Sequence, residues 1–392
     1  MKLAPRWRVL LGLLVARVAF GFSFQALPVL APGIATDLQL DGLAIGTLVR
    51  LFVLPGFFIA LPGGMLSQRM GRRRTLLAGL VAMNSGAFSC AMSDTYATLW
   101  IARLVCGIGG AILSVVMTKL VIDWFTGHEL ATAMGLFLAG YPGGIGLALI
   151  GLGTFATPTT WAAGFGITAI LFTAGLLAAW VTTHPQPEAT AARMLGAGLS
   201  LREIVLVTSA ASVASIYNSS YLVMLGFVPL YLIGQGHPPA IAAAIMGAGV
   251  WMSILSVPLG SFVTDKLKRP NIIIVVGAVC WAAGLWGTNS ADGFGNRTDR
   301  PVCHLSLVGA FPVDAMVALG AEATRPSSRG LGMGLYYSWF YGAAAVGPAA
   351  AGYIVDQTEP WVTIALVSAC GILSVFFLLL FRAIQKRLGP TT

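Results

Sequence analysis

The sequence predicts an all-α membrane protein of twelve transmembrane helices, arranged as two six-helix bundles related by an internal repeat. Three observations carry that prediction: an apolar composition, twelve apolar stretches of bilayer length, and local patterns that recur at a near-constant offset. Of 392 residues, 57% are hydrophobic and 9% charged, and the mean hydropathy is +0.84. Soluble domains carry roughly a quarter charged residues. Such a composition excludes a soluble enzyme and a nucleic-acid binder.

A helix needs about 20 mainly apolar residues to cross a bilayer. Twelve such stretches lie at 9–31, 43–66, 75–93, 97–120, 130–153, 161–182, 203–233, 240–263, 271–288, 302–322, 331–353 and 361–382. The amino end "MKLAPRWR" precedes an apolar run too long for a signal-peptide core and without a small-residue cleavage site, so it reads as a retained first span. Placing that end in the cytoplasm puts 18 of the 23 Lys and Arg on cytoplasmic segments and the span ends beside them, Lys119 at the end of span four among them. Arg297 and Arg300 fall outside. This positive-inside bias accounts for the net charge of +9 without an acidic partner. It predicts a multi-pass protein of a bacterial-type inner membrane with both termini cytoplasmic. The cysteines Cys90, Cys106, Cys280, Cys303 and Cys370 lack CxxC spacing and read as small apolar residues.

The halves repeat at an offset of 197 to 201 residues: "GGMLSQRMGRRR" at 63–74 with "GSFVTDKLKRP" at 260–270, "AMGLF" at 133–137 with "GMGLY" at 332–336, and Trp161 with Trp361. The expected organisation is a bundle over 1–182, a cytoplasmic linker over 183–201 and a second bundle over 202–392. Parallel repeats of this kind rock about a midplane site.

The loop "GGMLSQRMGRRR" resembles the signature between the second and third helices of the major facilitator superfamily. "RLVCGIGG" at 103–110 is similar to that family's fourth-helix motif, and "GYPGG" at 140–144 to its fifth-helix glycine-proline motif. The resemblance covers essentially the whole chain. It implies that spans one, four, seven and ten line a central cavity while three, six, nine and twelve face lipid. It also implies a conformational latch in which Gly64, Arg69, Gly71, Arg72 and Arg73 work with an acid such as Asp123, and Asp265, Lys266 and Arg269 with Glu322. Simple anchoring of those basic residues at the inner face competes with the latch. The usual loop acid is replaced by Gln68 in the first half and kept as Asp265 in the second, so the first latch is expected to be weaker. Gly107, Gly109, Gly140, Gly143 and Gly144 are small residues that let helices approach closely, and Pro142 beside them permits a bend.

Charges deep in the spans are few: Arg17, Arg50, Arg103 and Asp314. Spans three, six, nine and twelve carry none, in agreement with the arrangement the motifs imply. A buried arginine costs roughly 2.5–3.5 kcal/mol on insertion scales, so it faces water, a partner or a ligand. Arg17 and Asp314 are each about 12 Å from their cytoplasmic helix ends, at ~1.5 Å per residue, and either pair together or serve ligand and proton separately. Arg103 has a structural or a coupling role, and Arg50 either snorkels outward or joins the site. The proline pair Pro28 and Pro229 sets Asn218 of "YNSSY" opposite Arg17. Tyr217 and Tyr221 lie on the same face, and Tyr337 and Tyr341, with Trp339, offer aromatic rings from span eleven; ring packing is the competing role. Ser219 and Ser220 are expected to bond back to their own helix. The Asn296, Arg297, Thr298 sequon and His304 carry little weight.

Two arginines, Arg17 and Arg103, against one acid in the spans expected to line the cavity, with a planar fork suited to carboxylates, point to a secondary active transporter of a small, anionic solute, coupled to a proton or a counter-ion. Arg17, Asn218, Tyr221, Tyr217, Arg50, Tyr337 and Tyr341 are the candidate substrate ligands, and Asp314 with Arg103 the candidate proton-coupling pair. Span one loosely resembles the cyanate and nitroimidazole transporter branch. The rivals are a multidrug or metabolite proton antiporter and a transporter-like sensor or assembly protein without flux. No metal cluster, nucleophile-base set or P-loop is visible, so neither an enzyme nor a cofactor is expected. The expected partners are a small-molecule solute, the lipid bilayer and the coupling ion, with no nucleic acid, and the chain reads as a monomer.

Overall fold

The computed structural model describes residues 4–125, 129–183, 198–236, 239–284, 286, 309, 311–359 and 361–388. Among them are thirteen α-helices and no strand. They are α1 (Pro5–Asp37), α2 (Gly42–Val53), α3 (Pro55–Arg69), α4 (Arg72–Ala91), α5 (Tyr96–Trp124), α6 (Glu129–Gly151), α7 (Trp161–Thr182), α8 (Leu201–Gly234), α9 (Pro239–Leu267), α10 (Pro270–Gly284), α11 (Val313–Glu322), α12 (Arg329–Asp356) and α13 (Val362–Leu388). The second span is split into α2 and α3 because Pro55 has no N–H to continue the ladder. Twelve spans result. Pro28 and Pro32 lie inside α1, which runs further at both ends than its apolar core. The start of span ten, His304, Cys303, the sequon with Arg297, Arg300 and most of the linker lie outside the described residues.

Contacts divide the chain into two compact units, one of residues 1–199 with 326–338, the other of 200–325 with 339–392. The division within the linker region falls at residue 199, and the first turns of α12 group with the first unit, not with the second as the repeat suggested. These turns lie close to α3: a Cβ on Gly64 would meet the Gly330 carbonyl and the Gly334 backbone.

In the first unit α1 packs along α6 and α7, and α5 packs against α2, α3 and α4. Helix starts are fixed locally. Asp41 caps α2 by accepting from the Ala44 amide at 2.8 Å, and Thr95 and Thr98 close a capping box on α5. Gly71 turns the chain into α4 at φ 82°, a conformation that strains any L side chain. Leu27, Leu30, Leu48, Leu99, Trp161 and Phe165 belong to its apolar core.

In the second unit α8 packs on α13, α11 and α9, and α10 packs on α13. A capping box between Ser200 and Glu203 opens α8. Trp281 of α10 is buried against Tyr217 and Tyr221 of α8, with ring centroids 5.7 and 6.2 Å away.

Candidate functional site

The centre of the first unit is Arg17. Its residue is 8% exposed, and Nε and Nη1 are buried with no hydrogen-bond partner. The guanidinium carbon sits 5.3 Å from the Phe20 ring centroid, 5.1 Å from Phe137 and 5.2 Å from Tyr141. Three electron-rich faces stabilise the cation without consuming its N–H donors. The room for it comes from the "GYPGG" stretch: Gly140 lies against the Arg17 stem, so a Cβ there would stand 3.2 Å from Arg17 Cβ and Cγ. Gly144 and Gly21 let α1 and α6 touch backbone to backbone, at Val18 and Tyr141 respectively. Gly143 has open space around it and makes no close contact, which corrects its reading as a packing glycine.

Tyr337 belongs to the same unit. It is buried, its hydroxyl meets the Thr118 hydroxyl at 2.7 Å, and the Arg17 charge acts on it. Arg103 is 1% exposed and ties three elements together. Its Nε donates to the Leu48 carbonyl and Nη1 to the Ser23 carbonyl, both at 3.4 Å, and its charge lies 4.8 Å from the Phe52 ring. Those neighbours are carbonyls and a ring, so its geometry is that of a strut between α5, α1 and α2. Gly107 helps because a Cβ there would meet the Leu51 carbonyl and the Pro55 ring, and Gly109 because a Cβ would meet Met83 and the Gly79 carbonyl. Arg50 is exposed, in the last turn of α2.

At the end of the unit where α3 turns into α4, Arg72 Nη1 is 3.1 Å from Asp123 and Arg329 Nη1 is 3.6 Å from the same carboxylate. Arg73 takes a different partner from the one its motif implied. It donates to the Trp180 carbonyl at 3.1 Å and lies 4.8 Å from that ring, because α7 and not an acid stands beside it. Arg69 is exposed. Lys119, counted from sequence among the charges of the cytoplasmic side, is buried in α5 at 2% exposure.

In the second unit Asp314 is 2% exposed. The Ser261 side chain hydrogen-bonds to it, the Asp265 charge acts on it, and its Oδ1 has no hydrogen-bond partner. Close approach of Gly260 to the Phe311 carbonyl brings α9 and the start of α11 together there. Lys266 and Arg269 are exposed. Glu322 accepts from Arg382 at 2.6 Å and Gln385 at 2.9 Å, both on α13 and not on the α9–α10 loop with which the latch was expected. Arg382 also donates to Asn271.

The serines of the "YNSSY" stretch bond to neighbouring helices, α12 and α13, and not back to their own helix as expected, because those carbonyls stand within reach. The Tyr217 hydroxyl donates to the Gly309 carbonyl, Ser219 to the Ala343 carbonyl at 3.0 Å, and Ser220 to the Val367 carbonyl at 3.0 Å while accepting from Trp281 Nε1 at 2.6 Å. The Tyr217 hydroxyl proton is therefore committed to the fold. Asn218 and Tyr221 are partly exposed, and Tyr341 is buried.

Sequence reading missed one cluster altogether. Glu203, 1% exposed, accepts from the Ser200 amide at 2.9 Å, from the Arg325 amide and Nε at 3.1 Å each, and from Arg325 Nη2 at 2.8 Å. Those hydrogen bonds hold the Arg325 guanidinium above its ordinary pKa. The capping-box spacing of Ser200 and Glu203 was the available signal, but nothing in it announced Arg325, 122 residues on.

A family model described as Major Facilitator Superfamily matches residues 13–296. The chain is 26% identical over 380 residues to the "Hexuronate transporter" of Bacillus subtilis (strain 168), covering 89% of this chain and 88% of that protein. It is 27% identical over 267 residues to the "3-(3-hydroxy-phenyl)propionate transporter" of Escherichia coli (strain K12), covering 65% and 64%. The solved structure of the proton:xylose symporter XylE bound to 6-bromo-6-deoxy-D-glucose superposes with a TM-score of 0.76 at 15% identity, over 96% of this chain and 95% of that one.

Proposed function

Because the chain belongs to the Major Facilitator Superfamily, whose members are transporters and not enzymes, we propose that it carries a small organic monocarboxylate, of the hexuronate or aryl-propionate kind, across a bacterial inner membrane by alternating access. The observation that carries this reading is Arg17: a cation held on three rings with two buried nitrogens still free to donate. A guanidinium fork matches a carboxylate in two hydrogen bonds. Two relatives are named for transport of organic acids, which supports that class above the cyanate and nitroimidazole branch. Asn218 and Tyr221 are the second bundle's candidate ligands, both polar and partly exposed.

Coupling to a proton is assigned to Asp314. The Oδ1 atom of Asp314 is buried with no hydrogen-bond partner, and a proton carried there turns an unsatisfied acceptor into a hydroxyl. The basic ends of the bundles, with the Arg-rich α3–α4 turn, face the cytoplasm in this reading. Arg72, Arg329 and Asp123 act as the latch of that face.

Counterflow in proteoliposomes tests the reading, with D-glucuronate and 3-(3-hydroxyphenyl)propionate as solutes and D-xylose as the uncharged control. Accumulation of a carboxylate, lost in Arg17→Ala and weakened about tenfold or more in Arg17→Lys, is the expected result. Transport of xylose alone, or carboxylate transport that survives Arg17→Ala, overturns it.

A further inference from the structure

Lys119 is unusual among the first unit's cations. It is 2% exposed, it makes no hydrogen bond among the described residues, and three charged groups act on it: Asp123 one turn on along α5, Arg72 at the start of α4 and Arg329 at the start of α12. The acid is already shared by the two arginines, at 3.1 and 3.6 Å. One carboxylate therefore faces three cations, and the buried Nε of Arg329 also lacks a hydrogen-bond partner. A cluster with a surplus of two positive charges, buried and with donors unspent, is stabilised by an anion.

The residue before Lys119 in α5 is also tied to the surroundings of Arg17. Tyr337 feels the Arg17 charge, its hydroxyl meets Thr118, and Thr118 is the neighbour of Lys119 in α5. We propose that Lys119, with Arg72 and Arg329, forms a second anion subsite, which receives the carboxylate of the transported solute at the cytoplasmic end of the first bundle. The identity of the anion rests on the transport reading above; the existence of the subsite does not.

The two claims separate experimentally. Thermal unfolding of the purified full chain in detergent is followed with sulfate as the probe and chloride at equal ionic strength as the control. Lys119→Met keeps the length and apolar stem of the side chain and removes its charge, so the fold is expected to survive. The sulfate shift is expected in wild type and in Arg17→Ala, and is expected to vanish in Lys119→Met. An equal shift in Lys119→Met, or no shift in any of the three, overturns the subsite. In oriented proteoliposomes Lys119→Met should raise the KM for D-glucuronate about tenfold at the cytoplasmic face and less than twofold at the outer face, the loss of one charge-assisted hydrogen bond. Equal change at both faces, or none, removes Lys119 from the solute path. If delipidated protein shows a Lys119-dependent shift with phosphatidylglycerol and none with glucuronate, the site belongs to lipid and the proposal fails. If wild type moves no carboxylate, the transport reading fails while the sulfate result still decides the subsite.

Discussion

Gly140→Ala is the sharpest available perturbation of the Arg17 site, because Gly143, three residues on in the same helix, is its internal control. The added methyl at 140 would stand 2.8 Å from Leu14 Cδ1 and 3.2 Å from both Arg17 Cβ and Cγ, whereas at 143 it meets nothing within 4 Å. Replacing Gly by Ala inside a helix gains about 1 kcal/mol at either position, so that gain cancels in the comparison. What remains is overpacking at 140 alone, about 1–3 kcal/mol. The Leu14 methyl turns aside readily; the Arg17 stem moves only by lifting the guanidinium off its three rings. The cost therefore appears in ligand affinity, and at 1.4 kcal/mol per decade it raises the Kd for D-glucuronate about five- to hundred-fold. Titration of both variants by tryptophan fluorescence, with melting temperatures measured alongside, reads it directly. Gly140→Ala and Gly143→Ala with indistinguishable affinities refute the placement of Arg17 as ligand. A loss confined to melting temperature shows that the helices and not the arginine gave way.

Asp314→Asn should abolish proton-driven accumulation while sparing solute exchange; unchanged accumulation in a pH-gradient assay takes Asp314 out of the coupling. Asp123→Asn removes the acceptor of both Arg72 and Arg329 and should shift the conformational equilibrium by about 1 kcal/mol per pair, near fivefold each, measured by alkylation rates of a cysteine placed at the cavity mouth. Arg325→Ala takes the guanidinium from the buried Glu203 carboxylate and leaves it only neutral donors such as the Ser200 and residue-325 amides, whereas Glu203→Gln acts on an arginine whose side chain is already 40% exposed. The first should therefore lower the melting temperature more than the second, and the double variant should recover most of the loss. Gly144→Ala presses its methyl onto the Val18 carbonyl and the Phe22 amide, where no side chain can turn aside; it should reduce the folded yield more than Gly140→Ala.

How much of this was legible in the sequence follows from the range over which each signal acts. Spans announce themselves locally, since a run of apolar residues must match the bilayer whatever surrounds it, and all twelve stretches have a described helix within or across them. Intramembrane charge is also local, which is why Arg17, Arg103 and Asp314 could be singled out before any geometry. Partner choice is not local. Arg73 sits beside Arg72 in one motif, yet helical phase turns one to Asp123 and the other to Trp180. Glu322 has basic residues in the matching loop of its repeat and bonds to α13 instead.

Lys119 shows the same limit from the other side. Counting positive charge toward the inner face treats a cation at the end of a span as solvated, and the rule holds because most such side chains snorkel to water. It fails where the neighbouring helix ends close over the residue, as the starts of α4 and α12 do here with Arg72 and Arg329. That closure depends on Gly64, which lets α12 come against α3, and Gly64 stands 55 residues before Lys119 in the chain. A residue that reads as a membrane anchor thus becomes a buried, unspent donor only through packing between segments far apart in sequence. The same reasoning predicts that widening the contact, by Gly64→Ala, should expose Lys119 to amine-reactive reagents. Labelling of Lys119 that is no faster in that variant than in wild type would show that its burial has another cause.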